Sequence, residues 1–249
     1  MGQLLYTQCA TSMKRLAMEL GGNAVFIIFE SASVSLAVQG LMASKFRNTG
    51  QTCVTANRIL VQRKLFDQVV EALAAAMDRE LKVGPGSDPT NTQGPLINQR
   101  QLLKVDSLVR DALGKGAKAI RGGRKHPTGD LFYEPTLLVD VTTDMQVFRE
   151  EIFGPVAALV PFDTEEEALR VSNDCDRGLA GYFYTSDLRQ AWRVGRSLQV
   201  GLLGINDPLI STCEAPFGGV KMSGFGKEGS KHGLDEFTNI KLLSFGSLD

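Results

Sequence analysis

Histidine is scarce in this sequence, two in 249 residues, and cysteine little commoner at four. His126 and His232 stand alone, and Cys9, Cys53, Cys175 and Cys213 are far apart, with no C-x-x-C. These spacings argue against a structural zinc site and a disulfide scaffold, and fit an intracellular protein of a reducing compartment. Excess charge is missing too: 27 Lys and Arg against 28 Asp and Glu give a net of -1. Nucleic acids and acidic membranes both need a basic face, so neither is expected as a partner. No apolar run approaches the roughly 20 residues that span a bilayer. N-x-[ST] acceptors are absent as well. The opening, MGQLLYTQCATSMKRLAMELGG, has no signal-peptide core and no Arg/Ser-rich leader. It reads as a helix entered midway, with Met where an earlier segment was cut away.

Apolar residues make up 43% of the chain, enough for a real core. AVFIIF (24–29), NRILVQ (57–62), VAALVPF (156–162), LAGYFY (179–184) and VGLLGI (200–205) have strand length and strand composition. Between them lie helix patterns. In 64–81, Phe66, Val69, Val70, Leu73 and Met77 fall on one helical face. DTEEEALRVSND (163–174) opens with Thr164 and Glu167 at capping-box spacing. Strands alternating with helices predict an α/β fold on a largely parallel, helix-covered sheet. KVGPGSDPTNTQGPLINQ (82–99) reads as a turn-rich surface connector, and NIKLLSFG (239–246) as a terminal strand with free edges.

GFGKEG (224–229) matches G-x-G-x-x-G, but a dinucleotide fingerprint must open a βαβ unit, and too little chain follows for one. It reads as a glycine-rich loop. FRNTGQTC (46–53) is more informative beside MELGG (18–22), 34 residues before Cys53 counted from Glu19. Asn, Thr, Gly and Gln before the cysteine, with an arginine six residues upstream, make a poor setting for a packed thiol and a good one for a thiolate. The paired glycines let the chain turn tightly while Glu19 points into a cleft. A thiol and a carboxylate meeting there form a nucleophile and a general base. Taken singly, Glu19 fits a surface charge and Cys53 an apolar filler equally well.

MELGG, FRNTGQTC, EEIFGPV (150–156) and APFGGVKMSGFGKEG (215–229), in this order and at these distances, resemble the aldehyde dehydrogenase superfamily. Within it, KFRNTGQTCV, LAGYFY and LIS followed by PFGGVK are most similar to the succinate-semialdehyde branch. The resemblance implies an oxidoreductase in which Cys53 attacks the aldehyde and Glu19 activates water to hydrolyse the resulting thioester. The Cys53 N–H would form half of an oxyanion hole. Glu151 and Phe153 match the residues that hold a nicotinamide ribose, so NAD or NADP is the implied cofactor, without a metal. Without the resemblance, the acidic pair before Ile152 reads as a solvated turn. Phe217 matches a pocket-lining aromatic, with ordinary core as its plain alternative. Arg47 and Ser211 match the pair that grips a distal carboxylate, against a helix-end salt bridge and a loop hydroxyl. The implied substrate is succinate semialdehyde, with glutarate or methylmalonate semialdehyde as alternatives.

The sequence also departs from the family pattern. Many members of the branch carry a second cysteine two residues after the nucleophile; Thr55 stands there, so that redox switch is expected to be absent. Cys213 is the remaining candidate for pairing with Cys53. Members of the family are about twice this length, which implies that most of an N-terminal Rossmann-like cofactor domain is missing. Residues 1–22 would be its remnant, 23–222 the catalytic domain, 223–240 a segment returning to the cofactor domain, and 241–249 an oligomerisation strand. A homo-oligomer is implied for the full-length protein. The compartment implied is the mitochondrial matrix in an animal and the cytoplasm in a bacterium. A non-catalytic fragment that joins full-length subunits is the competing expectation.

Overall fold

The computed structural model describes residues 1–247. The chain opens with α1 (Gly2–Ala10) and β1 (Met18–Glu19), then β2 (Ala24–Ile28), α2 (Val34–Lys45), β3 (Ala56–Gln62) and α3 (Phe66–Glu80). It continues through α4 (Gln99–Gly114), β4 (Lys118–Arg121), β5 (Thr136–Val139), α5 (Gln146–Arg149), β6 (Val156–Phe162) and α6 (Glu165–Asn173). The last elements are β7 (Arg177–Gly178), β8 (Ala180–Tyr184), α7 (Leu188–Ser197), β9 (Leu202–Ile205), β10 (Val220–Lys221), β11 (Gly224–Phe225) and α8 (Ser230–Asp235). Seven strands form one sheet in the order β4-β5-β6-β3-β2-β8-β9. Every pairing is parallel except β4 with β5.

β2 is buried along its whole length, as a central parallel strand covered on both faces must be. On one face, Val25, Ile27 and Leu60 meet Leu102, Val105 and Leu108 of α4. On the other, Phe26, Ile28 and Ile59 meet Leu41 of α2 and Val69, Leu73 and Met77 of α3. The periodicity of 64–81 therefore places the face of α3 correctly, with Phe66 and Val70 on its margin. At α6, Thr164 accepts from Glu167 N, as the capping box requires. The Glu167 carboxylate turns back to the N–H of Asp163, one residue earlier than in the box.

One expectation, for the 82–99 connector, is corrected; the terminal strand is expected to pair with a neighbouring subunit and stays a proposal. Residues 239–247 form no strand and pair with nothing among the described residues; Ile240, Leu242 and Phe245 stand largely in solvent. A lone apolar segment has no partner for its backbone groups, so strand pairing needs a second edge. Residues 248 and 249 of the expected terminal strand lie outside the described residues. The 82–99 connector is more than a surface loop. Val83 bridges Gln93, and Gln93 is buried. The segments 1–22 and 223–240 meet, since β1 pairs antiparallel with β11, Glu19 facing Gly224.

Candidate active site

After α2, the chain turns through Arg47–Gly50 with three consecutive residues at positive φ: Asn48 (49°), Thr49 (57°) and Gly50 (73°). A β-branched residue in this region costs of order 1–3 kcal/mol, so surrounding bonds must hold it. Thr49 Oγ1 donates to Gly94 O (3.3 Å), and Gln51 Nε2 to Pro95 O (3.2 Å), while Gln51 Oε1 accepts from Ile97 N (2.9 Å). Buried Gln93 donates to Phe46 O (2.9 Å). The connector is thus the brace of this turn. At Gly50, a Cβ would lie 2.2 Å from Gly154 O, so the glycine is required both by φ and by the approach of the EEIFGP backbone.

The turn delivers Cys53, a half-buried free thiol, at the margin of the apolar cluster under α2. Tyr182 OH donates to Val54 O (2.8 Å), and the hydroxyls of Thr52 and Thr55 are 2.6 Å apart, which fixes the residues on either side. Burial pushes the Cys53 thiol above its ordinary range; its own N–H and that of Val54 favour the thiolate, while the Glu151 and Glu19 carboxylates oppose it. The surroundings of the sulfur thus both favour and oppose the thiolate expected from the local sequence. Arg47 is exposed.

The MELGG turn passes directly against this seat: a Cβ on Gly22 would lie 2.6 Å from Cys53 O. β1 carries Glu19 into the interior, held by β11 and by Ser223, whose carbonyl accepts from Leu20 N (3.0 Å). The Ser223 hydroxyl donates to Gly21 O (2.9 Å) and accepts from Gly178 N (3.0 Å). Both Glu19 oxygens are shut off from solvent without a hydrogen-bond partner among the described residues. Burial and the nearby Glu228 carboxylate, opposed by the Lys227 ammonium, push its pKa up to about 7. A carboxyl in that range accepts protons near neutrality, which suits a general base. Gly224 serves this strand, because a Cβ there would strike Met18 O at 2.0 Å. Of the G-x-G-x-x-G glycines, Gly224 thus lines up Glu19, and no βαβ unit follows among the described residues.

Glu151 closes onto the same turn. Its Oε1 accepts from Gly22 N (2.8 Å), and its Oε2 lies 3.6 Å from Arg177 Nη1. Burial raises its pKa, while the Gly22 N–H and the Arg177, Lys104 and Lys45 charges lower it. Glu151 is therefore not a solvated turn residue. Phe153 follows with φ of 55°, its carbonyl accepting from Gln101 Nε2 (2.9 Å). Phe217 lies half-buried beside the cluster that Cys53 borders, paired through its backbone with Glu228. Arg47 makes no ion pair among the described residues, so the helix-end salt bridge is absent. Ser211 is exposed in the strand-free stretch after β9, and no hydrogen bond joins it to Arg47 among the described residues. Cys213 is exposed and free.

Sequence reasoning passed over Tyr182, Ser223, Asn57 and Lys45. Lys45 is wholly buried, its Nζ has no hydrogen-bond partner, and burial lowers its pKa to about 7. Its place near a helix end gave no sign of this. A cavity of about 480 Å³ lies away from Cys53, lined by Tyr6, Met18, Leu20, Met222 and Phe225.

A free cysteine, a glutamate unpartnered among the described residues and a second carboxylate gathered on an α/β sheet are what the resemblance implies. The aldehyde dehydrogenase family model matches residues 1–243, and the chain belongs to that family. It is 54% identical over 247 residues to the mitochondrial succinate-semialdehyde dehydrogenase of Homo sapiens, covering 99% of this chain and 46% of that protein. The crystal structure of succinate-semialdehyde dehydrogenase from Burkholderia pseudomallei superimposes with a TM-score of 0.94 at 50% identity, over 95% of this chain and 49% of that one. An NAD+ complex of aldehyde dehydrogenase from Bacillus cereus gives 0.92 at 35% identity, over 96% and 49%. The chain spans about half the length of the curated relatives it matches.

Proposed function

We propose that this chain carries the catalytic half of an NAD(P)+-dependent aldehyde dehydrogenase that oxidises succinate semialdehyde to succinate. The observation that carries the reading is that Gly22 packs against Cys53 O while the Glu19 carboxyl of the same MELGG segment, unpartnered among the described residues, lies close enough to act on the Cys53 thiol. The Cys53 sulfur, once deprotonated, bonds to the aldehyde carbon, and the Cys53 N–H supports the oxyanion of the thiohemiacetal. Loss of hydride leaves a thioester on Cys53. Glu19 then takes a proton from water, the water oxygen attacks the acyl carbon, and the C–S bond breaks to release the acid.

NAD or NADP, when bound, supplies the two-electron oxidant that accepts the hydride. Glu151 fits a place beside its nicotinamide ribose: Oε1 is held by Gly22, and Oε2 makes no hydrogen bond among the described residues, which leaves it for a sugar hydroxyl. Phe153 stands next to it. Arg47, exposed and without an ion pair among the described residues, suits the distal carboxylate through its guanidinium fork, with Ser211 as its partner. Phe217 lines the aldehyde end. Glutarate and methylmalonate semialdehydes would meet the same residues. The human relative's name supports a mitochondrial setting for an animal protein.

A second reading has its own observation, the half-length match to the relatives. On that reading the chain folds and joins longer subunits through the apolar segment after Asn239, without turnover of its own. Formation of NADH and NADPH from succinate semialdehyde by the 249-residue chain, beside Cys53→Ala, separates the two. Reduction that depends on Cys53 is the outcome for the catalytic reading. A folded sample with none leaves the second reading standing.

A further inference from the structure

We propose that Asn57 is the positioning residue for the Glu151 carboxylate: its side-chain amide locks residues 150–152 to Asn23 and so sets the reach of Glu151 to the Gly22 N–H. This deepens the functional reading above, and rests on it only for what Glu151 holds.

The register of β3 isolates Asn57 first. Ala24 pairs with Ala56 and Val25 with Arg58, so Asn57 is an extra residue left out of the parallel ladder. Such bulges are rare between parallel strands, and they re-aim a side chain beside a site. Asn57 is 2% exposed, and both side-chain donors and one acceptor site are used across two motifs. Its Nδ2 donates to Asn23 Oδ1 (2.6 Å) and Glu150 O (2.9 Å), and its Oδ1 accepts from Ile152 N (3.0 Å). Glu151 therefore sits between two backbone groups fixed by one side chain. Asn23, itself buried and adjacent to Gly22, returns the tie by donating to Phe148 O and Arg149 O (both 3.2 Å). Arg58, the next residue, fixes the far side of the clamp by donating to Asn23 O (3.0 Å).

The other supports of the 150–153 loop come from α4. Lys104 donates to Glu151 O (2.6 Å), and Gln101 to Ile152 O and Phe153 O (both 2.9 Å). These bonds tie the loop backbone to α4, and Arg177 Nη1 spans the carboxylate side, donating to Gly22 O (3.2 Å) and lying 3.6 Å from Glu151 Oε2. Asn57 is the side chain that ties the backbone on both sides of Glu151 to Asn23, the neighbour of Gly22. Only a carboxamide serves at position 57. An aspartate would turn a negative oxygen on the Asn23 and Glu150 oxygens, and an apolar side chain would leave three buried groups unpaired.

The test reads Glu151 through Cys53, whose thiol faces the Glu151 and Glu19 carboxylates, while Lys45, Lys104 and Arg177 face Glu151. Alkylation of Cys53 by iodoacetamide is followed against pH in the 249-residue chain, resolved from the other cysteines by peptide mass spectrometry. Glu151→Gln removes a charge that opposes the thiolate, so alkylation near pH 7 should quicken by roughly threefold or more, with the midpoint moved to lower pH. Asn57→Ser should quicken it by a similar factor, because the carboxylate is no longer held at the turn. In a Glu151→Gln background, Asn57→Ser should add nothing. Equal effects of Asn57→Ser in both backgrounds would mean general loosening around Cys53, and would overturn the proposal. So would an Asn57→Ser profile identical to that of the unaltered chain. If Asn57→Ser does not fold, Asn23→Ser enters the same cycle with the same two outcomes. Neither cofactor nor aldehyde takes part, so a failure of dehydrogenase activity bears on the functional reading and leaves this result intact.

Discussion

Glu19 combines a destabilising environment with the proposed role of general base, and the two separate on titration. Its ordinary pKa is 4.5, and in the folded chain it rises to about 7. Between those values the folded state binds more protons than the unfolded one, so stability falls as pH rises through this window. Glu19→Gln carries no charge to bury. We expect its Tm to match that of the unaltered chain near pH 4.5, to exceed it above pH 7, and to vary less in between. Thermal unfolding across pH 4.5–8 checks this; parallel curves for the two proteins would contradict it. At this scale the sequence was most legible where a motif carried the residue. MELGG and FRNTGQTC pointed to Glu19 and Cys53. Asn57 and Lys45 were illegible, since a polar residue inside a strand pattern, or a lysine near a helix end, ordinarily faces solvent. Their burial depends on a ladder slip and on neighbours far away in sequence.

Single elements position the thiol through contacts that no local pattern shows. The run of positive φ before Cys53 is locked by the 82–97 connector and by the close pass of Gly154 over Gly50. Gly50→Ala combines left-handed strain with a backbone collision, and should cost roughly 2–4 kcal/mol as well as slow Cys53 alkylation. Gly86, with nothing within 4 Å of a Cβ, is the control: Gly86→Ala should stay within about 0.5 kcal/mol. Urea unfolding of both variants gives the comparison, and equal losses would contradict it. Strands β2, β3, β6, β8 and β9 were legible because buried parallel strands are continuous apolar runs. β5 is four residues long, and β4 is an exposed, basic edge strand, so neither has that signature. The connector was misjudged because its turn residues are informative about local conformation and silent about Gln93, whose side chain reaches across to α2.

Over the whole molecule, four separated stretches of chain meet at one end of the sheet. Residues 18–23, 46–57, 148–153 and 217–228 are joined there by bonds between motifs that are up to 202 residues apart. The α/β class followed from the alternation of patterns; the convergence itself was reached through the family resemblance, since spacing along the chain does not give distance in space. The central claim is that this chain alone assembles a nucleophile and the base that frees it. Acyl transfer tests it without hydride chemistry, because p-nitrophenyl acetate can acylate Cys53 directly and water must then clear the thioester. Mass spectrometry should find acetyl on Cys53 in the unaltered chain and in Glu19→Gln, and none at position 53 in Cys53→Ala. Its hydrolysis should be slower in Glu19→Gln by roughly 100-fold or more. Acetyl-Cys53 that clears equally fast without the Glu19 carboxylate, or a Cys53 that is never acylated in the folded chain, would contradict the account.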